Sequence, residues 1–213
     1  MSEAKKKNSL IHDALVLFAI TLIAAVALGF VYELTKDPIA QTEAQAKVDA
    51  YKAVFPEMTA TAELGDTEWA LKNAGELIAS NAAYEGVTVD EILEARDGSD
   101  ALLGWVLTVT STKGYGGKIT MTMGVSRDGI LKGIEFLTIS ETPGLGMNAK
   151  EDKFKSQFKD AKVGQYSLSK RNISGDTEID AISSATITTT AVTRSVNAGL
   201  KVIRELFLNN YNN

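Results

Sequence analysis

Hydroxyl side chains are concentrated in the stretch DAISSATITTT, residues 180–190, where six of the eight residues in 183–190 are serine or threonine. The surrounding pattern predicts a short strand that ends before the first serine and a helix that begins two or three residues later. Ser183 or Ser184 would then be the N-cap residue, and Thr186 would lie in the first helical turn. Backbone N–H groups and the helix dipole favour a phosphate at such a place.

Helix capping explains the two serines without any ligand. It does not explain four threonines among residues 186–190, because β-branched side chains in the first turns of a helix lower its helix propensity. The sequence therefore leaves two interpretations open: a capped helix with surplus hydroxyls, and a phosphate or attachment site.

Two glycine-rich stretches could lie against a flat ligand. KGYGGK, residues 113–118, reads as a flexible hairpin loop, and in ETPGLG, residues 141–146, the pair Pro143-Gly144 predicts a type II turn. Turn formation alone accounts for both stretches. Glycines in two loops also permit close approach of the backbone to a planar ligand.

The residue types that are missing exclude several kinds of chemistry. The chain has no cysteine and a single histidine, His12, so it offers no thiol nucleophile, no cysteine-ligated iron–sulfur cluster and no histidine metal site. Redox chemistry would therefore need an organic cofactor. With 22 Lys and Arg against 27 Asp and Glu, the composition provides no basic surface for nucleic acid.

Residues 14–32, ALVLFAITLIAAVALGFVY, form an apolar run long enough to span a bilayer as a helix. Three lysines, Lys5 to Lys7, precede it, so the positive-inside rule places residues 1–13 in the cytoplasm and the rest of the chain outside. A cleaved signal peptide and a buried helix are the alternatives. The run exceeds a typical signal-peptide core and is apolar on all sides, so we expect a single-pass anchor in the cell membrane.

The exported part is expected to begin with a membrane-proximal helix within residues 33–57. Asp37-Pro38 predicts a helix restart, and the helix should end before Pro56. The domain proper would be residues 58–213. Its first part predicts two short helices, residues 68–79 and residues 88–95, the second with Thr88 as its cap.

Strand patterns follow, separated by the turn signals KGYGG and RDG. They predict an antiparallel three-stranded meander over residues 102–112, 117–126 and 130–140. A short helix (150–158), a short strand (178–182) and a long terminal helix (185–208) complete the chain, and the last helix has a core face of Val192, Val196, Leu200, Ile203 and Phe207. The fold class is therefore predicted as α+β, an antiparallel sheet with flanking helices.

The stretch DAISSAT followed by ITTTAV resembles the flavinylation motif of FMN-binding domains. In that family the final threonine of the motif carries FMN through a phosphoester, which a dedicated flavin transferase installs from FAD. The resemblance implies that Thr186 is the attachment residue and that its recognition context is formed by Asp180, Ser183, Ser184 and Ala185.

ETPGLG is similar to a second signature of the same family, a loop that lies against the isoalloxazine ring. The resemblance implies cofactor-binding roles for two groups of residues: Glu141, Thr142, Gly144, Leu145 and Gly146 in this loop, and Tyr115, Gly116 and Gly117 in the other glycine-rich loop. Lys113, Lys118 and Arg194 are candidate cations for the phosphate or the reduced flavin.

The N-terminal anchor, the exit FVYELTKDPIA and the chain length resemble the family of G subunits of Rnf ion-translocating ferredoxin:NAD oxidoreductases. That resemblance implies an electron-transfer subunit with covalent FMN, held in a bilayer beside the other subunits of a membrane redox complex. Three alternatives remain open: the related C subunit of the sodium-pumping NADH:quinone oxidoreductase, for which this chain is short; an unflavinylated anchoring or assembly module; and a flavin reductase, for which no acid/base site is found.

One residue departs from the family pattern, because Ser184 stands where the family usually has glycine. If the site requires a positive φ, serine costs about 1 kcal/mol or more and would slow modification. If the residue is an ordinary N-cap in the β region, serine is as suitable as glycine. We expect the second arrangement.

Overall fold

A computed structural model describes residues 2–162, 164–169 and 177–209, with side chains from residue 11 onward. The chain divides into two compact units, residues 1–46 and residues 47–213. The candidate site lies entirely in the second unit.

The first helix, α1 (Ser2–Val54), contains the predicted anchor. Its most apolar 18-residue window has a mean hydropathy of 2.8 and is fully exposed, and among the described residues it is the one helix long and apolar enough to cross a membrane. It ends at Val54, before Pro56, as predicted.

The predicted helix restart at Asp37-Pro38 is wrong, because α1 continues through Pro38. A proline removes the hydrogen bond to the carbonyl four residues earlier, here that of Leu34. The helix is nevertheless continuous on both sides of this position, and Thr42 Oγ1 donates a hydrogen bond of 2.8 Å to the carbonyl of Pro38 itself.

A five-stranded antiparallel sheet with the order β1-β2-β3-β4-β5 forms the centre of the second unit. The predicted meander is confirmed as its last three strands, and two further strands precede it. The bounds are β1 (Ala60–Glu63), β2 (Val87–Arg96), β3 (Leu102–Ser111), β4 (Ile119–Ser126) and β5 (Leu131–Ile139). A small parallel pair, β6 (Ser167–Ser169) and β7 (Glu178–Asp180), lies apart from this sheet.

The predicted helix over residues 88–95 is wrong, because this segment is part of β2. Its register on β3 shifts between Val89 and Glu91, which marks a β-bulge. Val89 and Ile92 therefore pack into the same core three residues apart. That spacing imitates a helical period although the backbone is extended, and Thr88 bonds the side chain of Asp90 at 2.8 Å instead of capping a helix.

The remaining helices flank the sheet. The predicted helix over residues 68–79 is confirmed as α2 (Thr67–Ala79), and the predicted terminal helix is confirmed as α4 (Thr186–Ile203), which continues as a π-helical turn (Arg204–Leu208). The segment predicted as one helix over residues 150–158 contains a shorter helix, α3 (Asp152–Lys155). Two 3₁₀ turns flank it, Gly146–Lys150 and Ser156–Phe158.

The core face of α4 packs on one side of the sheet. Val192, Val196 and Ile203 are fully buried beside Leu107 and Met123, and Phe207 lies 5.1 Å from the ring of Trp105. The predicted core face of the terminal helix is confirmed. This packing fixes the N-terminus of α4, where the hydroxyl-rich stretch lies.

The end of α1 packs on the opposite side of the sheet. Tyr51, Val54 and Phe55 form a second apolar cluster with Val106. Tyr51 donates a hydrogen bond of 2.5 Å to Glu91, and burial followed by this contact raises the pKa of Tyr51 to about 12. The C-terminal end of α1, from Lys47 onward, is therefore a structural part of the second unit.

Candidate functional site

A cavity of about 490 Å³ opens where three separate stretches of the sequence meet. Its size is in the range of about 300–1,000 Å³ that is usual for cofactor and ligand pockets. The lining residues come from the first glycine-rich loop (Tyr115), from ETPGLG (Glu141, Thr142, Leu145 and Gly146), and from the hydroxyl-rich stretch (Ser184, Ala185, Thr186, Ile187 and Thr188).

The first wall of the cavity contains the turn Thr142–Leu145. The N–H of Leu145 donates to the carbonyl of Thr142 at 3.1 Å, and Gly144 has φ +74°. Proline at the second position and a positive φ at the third define a type II turn, as predicted.

Gly146 brings this wall against the start of α4. A Cβ atom at this position would lie 2.6 Å from Thr188 Oγ1 and 2.8 Å from Glu141 Oε2. Only glycine fits between the two groups, and its place in the sequence motif therefore has a packing reason.

Glu141 connects the two glycine-rich loops. The residue is 8% exposed, and its carboxylate oxygens accept hydrogen bonds from the N–H groups of Tyr115 at 2.8 Å and Gly116 at 3.2 Å. The carboxylate thus substitutes for a missing backbone partner and fixes the loop that carries Tyr115. The sequence indicated Glu141 as a cofactor ligand but gave no sign of this bracing contact.

The second wall contains the turn Ile182–Ala185, which precedes α4. The N–H of Ala185 donates to the carbonyl of Ile182 at 3.0 Å, and Ser184 has φ +58°. The expectation that Ser184 is an N-cap residue in the β region is wrong. Ser184 occupies the third position of a turn, where type II geometry requires a positive φ that favours glycine.

The N-cap residue of α4 is Ala185, which has no capping side chain. A threonine inside the helix instead ties the preceding turn to the first turn of α4. Thr189 Oγ1 accepts a hydrogen bond from the N–H of Ile182 at 3.1 Å and donates one to the carbonyl of Ala185 at 2.9 Å. Sequence reasoning missed Thr189. The available signal was a hydroxyl four residues after the cap, where it can reach back one turn.

The hydroxyls of the stretch are not equivalent. Thr188 and Thr189 are buried, whereas Thr186 is exposed at the edge of the cavity in the first turn of α4. Thr190 is partly buried and its hydroxyl donates to the carbonyl of Thr186 at 2.7 Å. Thr186 therefore combines accessibility, contact with the cavity and proximity to the helix N-terminus.

Some predicted site residues lie outside the cavity lining. Asp180 and Ser183 line a separate, more polar depression of about 460 Å³ beside α3. The remaining three, Gly116, Gly117 and Gly144, shape the two loops without lining the cavity.

The three candidate cations are also dispersed. Lys113 forms an ion pair with Glu85 at 2.7 Å, and this contact lowers the pKa of the Glu85 carboxyl. Arg194 lines a different, smaller cavity, and Lys118 is exposed. Within the ranges that the structure describes, no three acidic or histidine side chains come together as a metal site.

Apolar side chains form the rim of the cavity. Tyr115 is 71% exposed, Ile187 54% and Leu145 39%, and exposed apolar side chains grouped around one cavity are typical of a ligand-binding surface. A planar ring could lie against them while a phosphate at Thr186 meets the first N–H groups of α4. The residues present therefore fit a flavin mononucleotide, with the ring on the rim and the phosphate at the helix.

Comparison with known families agrees with this chemistry. Residues 114–201 match the FMN-binding domain, a range that includes ETPGLG, all of KGYGGK except Lys113, and most of α4. The chain is thus an FMN-binding domain protein that carries one apolar N-terminal helix of membrane-spanning length.

The particular family follows from the whole chain. Residues 1–54 match the RnfG N-terminal region. The chain is 32% identical to the G subunit of the Na⁺-translocating ferredoxin:NAD⁺ oxidoreductase complex of Acetobacterium woodii, over 90% of each chain. It is 28% identical to the G subunit of the proton-translocating complex of Clostridium ljungdahlii, over 95% of this chain and 96% of that one. The chain belongs to the family of G subunits of ion-translocating ferredoxin:NAD⁺ oxidoreductase complexes.

Among solved structures, the chain is similar to the NqrC protein of Shewanella oneidensis. The identity is 23%, the TM-score is 0.47, and the match covers 57% of this chain and 60% of that protein.

Proposed function

We propose that this chain is the membrane-anchored electron-transfer subunit of an ion-translocating ferredoxin:NAD⁺ oxidoreductase complex and that it carries FMN covalently on Thr186. One observation carries the proposal: the two glycine-rich loops and the hydroxyl-rich stretch, to which the resemblance to FMN-binding domains assigns cofactor-binding roles, line one cavity, and the exposed Thr186 lies at its edge. Family membership supports the complex, since the related subunits bear that name. The bound FMN supplies the electron transfer.

The proposed attachment is a phosphoester between Thr186 Oγ and the FMN phosphate. A flavin transferase would provide the FMN moiety from FAD, so that the threonine oxygen replaces AMP on the phosphorus and the hydroxyl proton is lost. The start of α4 then stabilises the phosphate charge through backbone N–H groups and the helix dipole. Burial argues against Thr188 and Thr189 as alternative acceptors.

Two kinds of group line the cavity that would hold the ring. Tyr115, Leu145 and Ile187 offer apolar contact, and the carboxylate of Glu141 lies behind the loop of Tyr115. A fixed negative charge near the ring opposes the gain of an electron, so Glu141 should lower the reduction potential of the flavin.

We propose that the N-terminus faces the cytoplasm and that residues 58–213 lie outside it. The lysines before the apolar run and the positive-inside rule support this orientation. Because the chain has no cysteine, a single cysteine at the exposed Lys159 should react with a membrane-impermeant maleimide in intact spheroplasts. Labelling only after lysis would show that this position faces the cytoplasm and would contradict the proposed orientation.

Ser184 gives one reason to consider a second function. Its strained φ could slow modification enough to leave a bare anchoring or assembly module that keeps the fold without the flavin. The two functions differ in whether the mature chain carries flavin.

The test compares variants in cells that lack the native chain but contain the flavin transferase. Thr186→Ala should abolish in-gel flavin fluorescence of the denatured chain and ferredoxin-dependent NAD⁺ reduction by the membranes. Thr186→Ser keeps the hydroxyl and should retain part of both signals. Full oxidoreductase activity in the Thr186→Ala membranes would refute the proposed role of the flavin.

A further inference from the structure

We infer that Thr189 is a positioning residue for flavin attachment: its hydroxyl holds the strained turn at Ser184 and thereby places Thr186 at the cavity. This inference rests on the proposed function, because attachment at Thr186 is what the turn would serve. Thr189 lies in the ITTTAV part of the stretch, and the resemblance assigns it no role.

A single buried hydroxyl joins the two ends of the turn. Thr189 is 0% exposed, and its Oγ1 accepts from the N–H of Ile182 and donates to the carbonyl of Ala185. These two residues are the first and last of the turn that contains Ser184, and their own backbone hydrogen bond measures 3.0 Å. The turn is therefore closed twice, once by the backbone and once by a side chain of α4.

The second closure matters because of the residue inside the turn. Ser184 has φ +58°, in the left-handed region where its Cβ crowds the backbone. A glycine would adopt this φ without that penalty. A turn with glycine at this position would therefore depend less on the hydrogen bonds of Thr189. With serine present, the turn tends to open, and the bonds of Thr189 oppose the opening.

The neighbouring threonine provides a matched comparison. Thr190 has the same side chain, but its hydroxyl donates to the carbonyl of Thr186, within the helix. It makes no contact with the turn among the bonds that the structure describes. Removing the Thr190 hydroxyl should therefore leave the turn as it is.

Opening of the turn would move the residue that follows it. Thr186 comes directly after Ala185, so loss of the closure frees the hydroxyl of Thr186 and the first N–H groups of α4 from their fixed places at the cavity. Attachment should then become slower without being abolished, because Thr186 itself is still present.

The experiment measures the initial rate at which purified flavin transferase and FAD modify the full-length chain in detergent. Thr189→Val removes the hydroxyl with both of its hydrogen bonds and keeps the side-chain shape, and we expect a rate roughly five- to thirtyfold lower, the effect of losing one to two hydrogen bonds' worth of stabilisation. Thr189→Ser should stay within about twofold of the unsubstituted chain, as should the control Thr190→Val.

A second substitution tests the link to the strained residue. Ser184→Gly added to Thr189→Val relieves the strain, and it should restore the rate to within about twofold of the unsubstituted chain. Amide hydrogen exchange gives a readout that does not depend on flavin: the N–H of Ile182 should exchange several times faster in Thr189→Val and at the original rate in Thr190→Val.

The outcomes separate this inference from the proposed function. If the parent chain is modified and Thr189→Val is modified at the same rate, the inference about Thr189 is wrong and the proposed function stands. Equal slowing in Thr189→Val and Thr190→Val, with no rescue by Ser184→Gly, would show general destabilisation and would also overturn it. A parent chain that accepts no flavin would overturn the proposed function and this inference together.

Discussion

Two turns of the same kind form opposite walls of the cavity, and they are built from different residues. Thr142–Leu145 has Pro143-Gly144 at its centre, with φ +74° at the third position. Ile182–Ala185 has Ser183 and Ser184 there, with φ +58° at the third position. Their closing backbone bonds are alike, at 3.1 and 3.0 Å.

The difference shows two ways of reaching one backbone geometry. Proline and glycine favour the first turn locally, whatever surrounds it. The second turn contains a residue that disfavours the required φ, and a hydroxyl from α4 compensates. The first turn should therefore survive loss of its neighbours better than the second, and the predictions below test this contrast.

The largest effect is expected where the two walls meet. Gly146→Ala places a methyl group 2.6 Å from Thr188 Oγ1, so the first loop must move away from α4. We expect a loss of about 2–3 kcal/mol in the free energy of unfolding, measured by urea denaturation of the full-length protein in detergent.

Gly75→Ala is the control for that substitution. Gly75 lies in α2, and nothing lies within 4 Å of a Cβ placed there. It should raise stability by up to about 1 kcal/mol, because alanine is the better helix former. A Gly146→Ala variant as stable as this control would contradict the packing role of Gly146.

A smaller effect is expected when the first turn is given the residue of the second. Gly144→Ser forces serine to φ +74° without a hydroxyl equivalent to that of Thr189 in the described contacts. The expected loss in unfolding free energy is about 1–2 kcal/mol. No loss would mean that the first turn tolerates serine unaided and that the contrast between the turns is false.

The smallest effect is expected from the reverse change. Ser184→Gly removes the strain of φ +58° but adds chain entropy to the unfolded state, so the net gain in unfolding free energy should be about 0.5 kcal/mol. Modification by the flavin transferase should be at least as fast as in the parent chain. A destabilised Ser184→Gly variant would show that the serine side chain makes a stabilising contact whose free energy exceeds the cost of the backbone strain.

The same contrast explains which features the sequence predicted. The meander, the period of α4 and the turn at Pro143-Gly144 are determined by nearby residues, so local patterns were sufficient. Ser184 lies in a turn whose two ends bond Thr189, four and seven residues further along the chain, and this side-chain closure forms only once α4 is helical. Local rules therefore assigned Ser184 to the wrong geometry.

Two other features depended on contacts distant in the sequence. The bulge in β2 produced a helix-like spacing of Val89 and Ile92, and only pairing with β3 shows that the segment is a strand. Glu141 braces the N–H groups of Tyr115 and Gly116 across a separation of about 25 residues, which no local pattern reveals.

Peptide mass spectrometry of the chain made together with its flavin transferase tests the central claim most directly. The account predicts that the peptide containing DAISSATITTT gains the mass of one FMN less one water and that fragmentation places the addition on Thr186. An unmodified peptide under these conditions, or an adduct on another hydroxyl of the stretch, would contradict it.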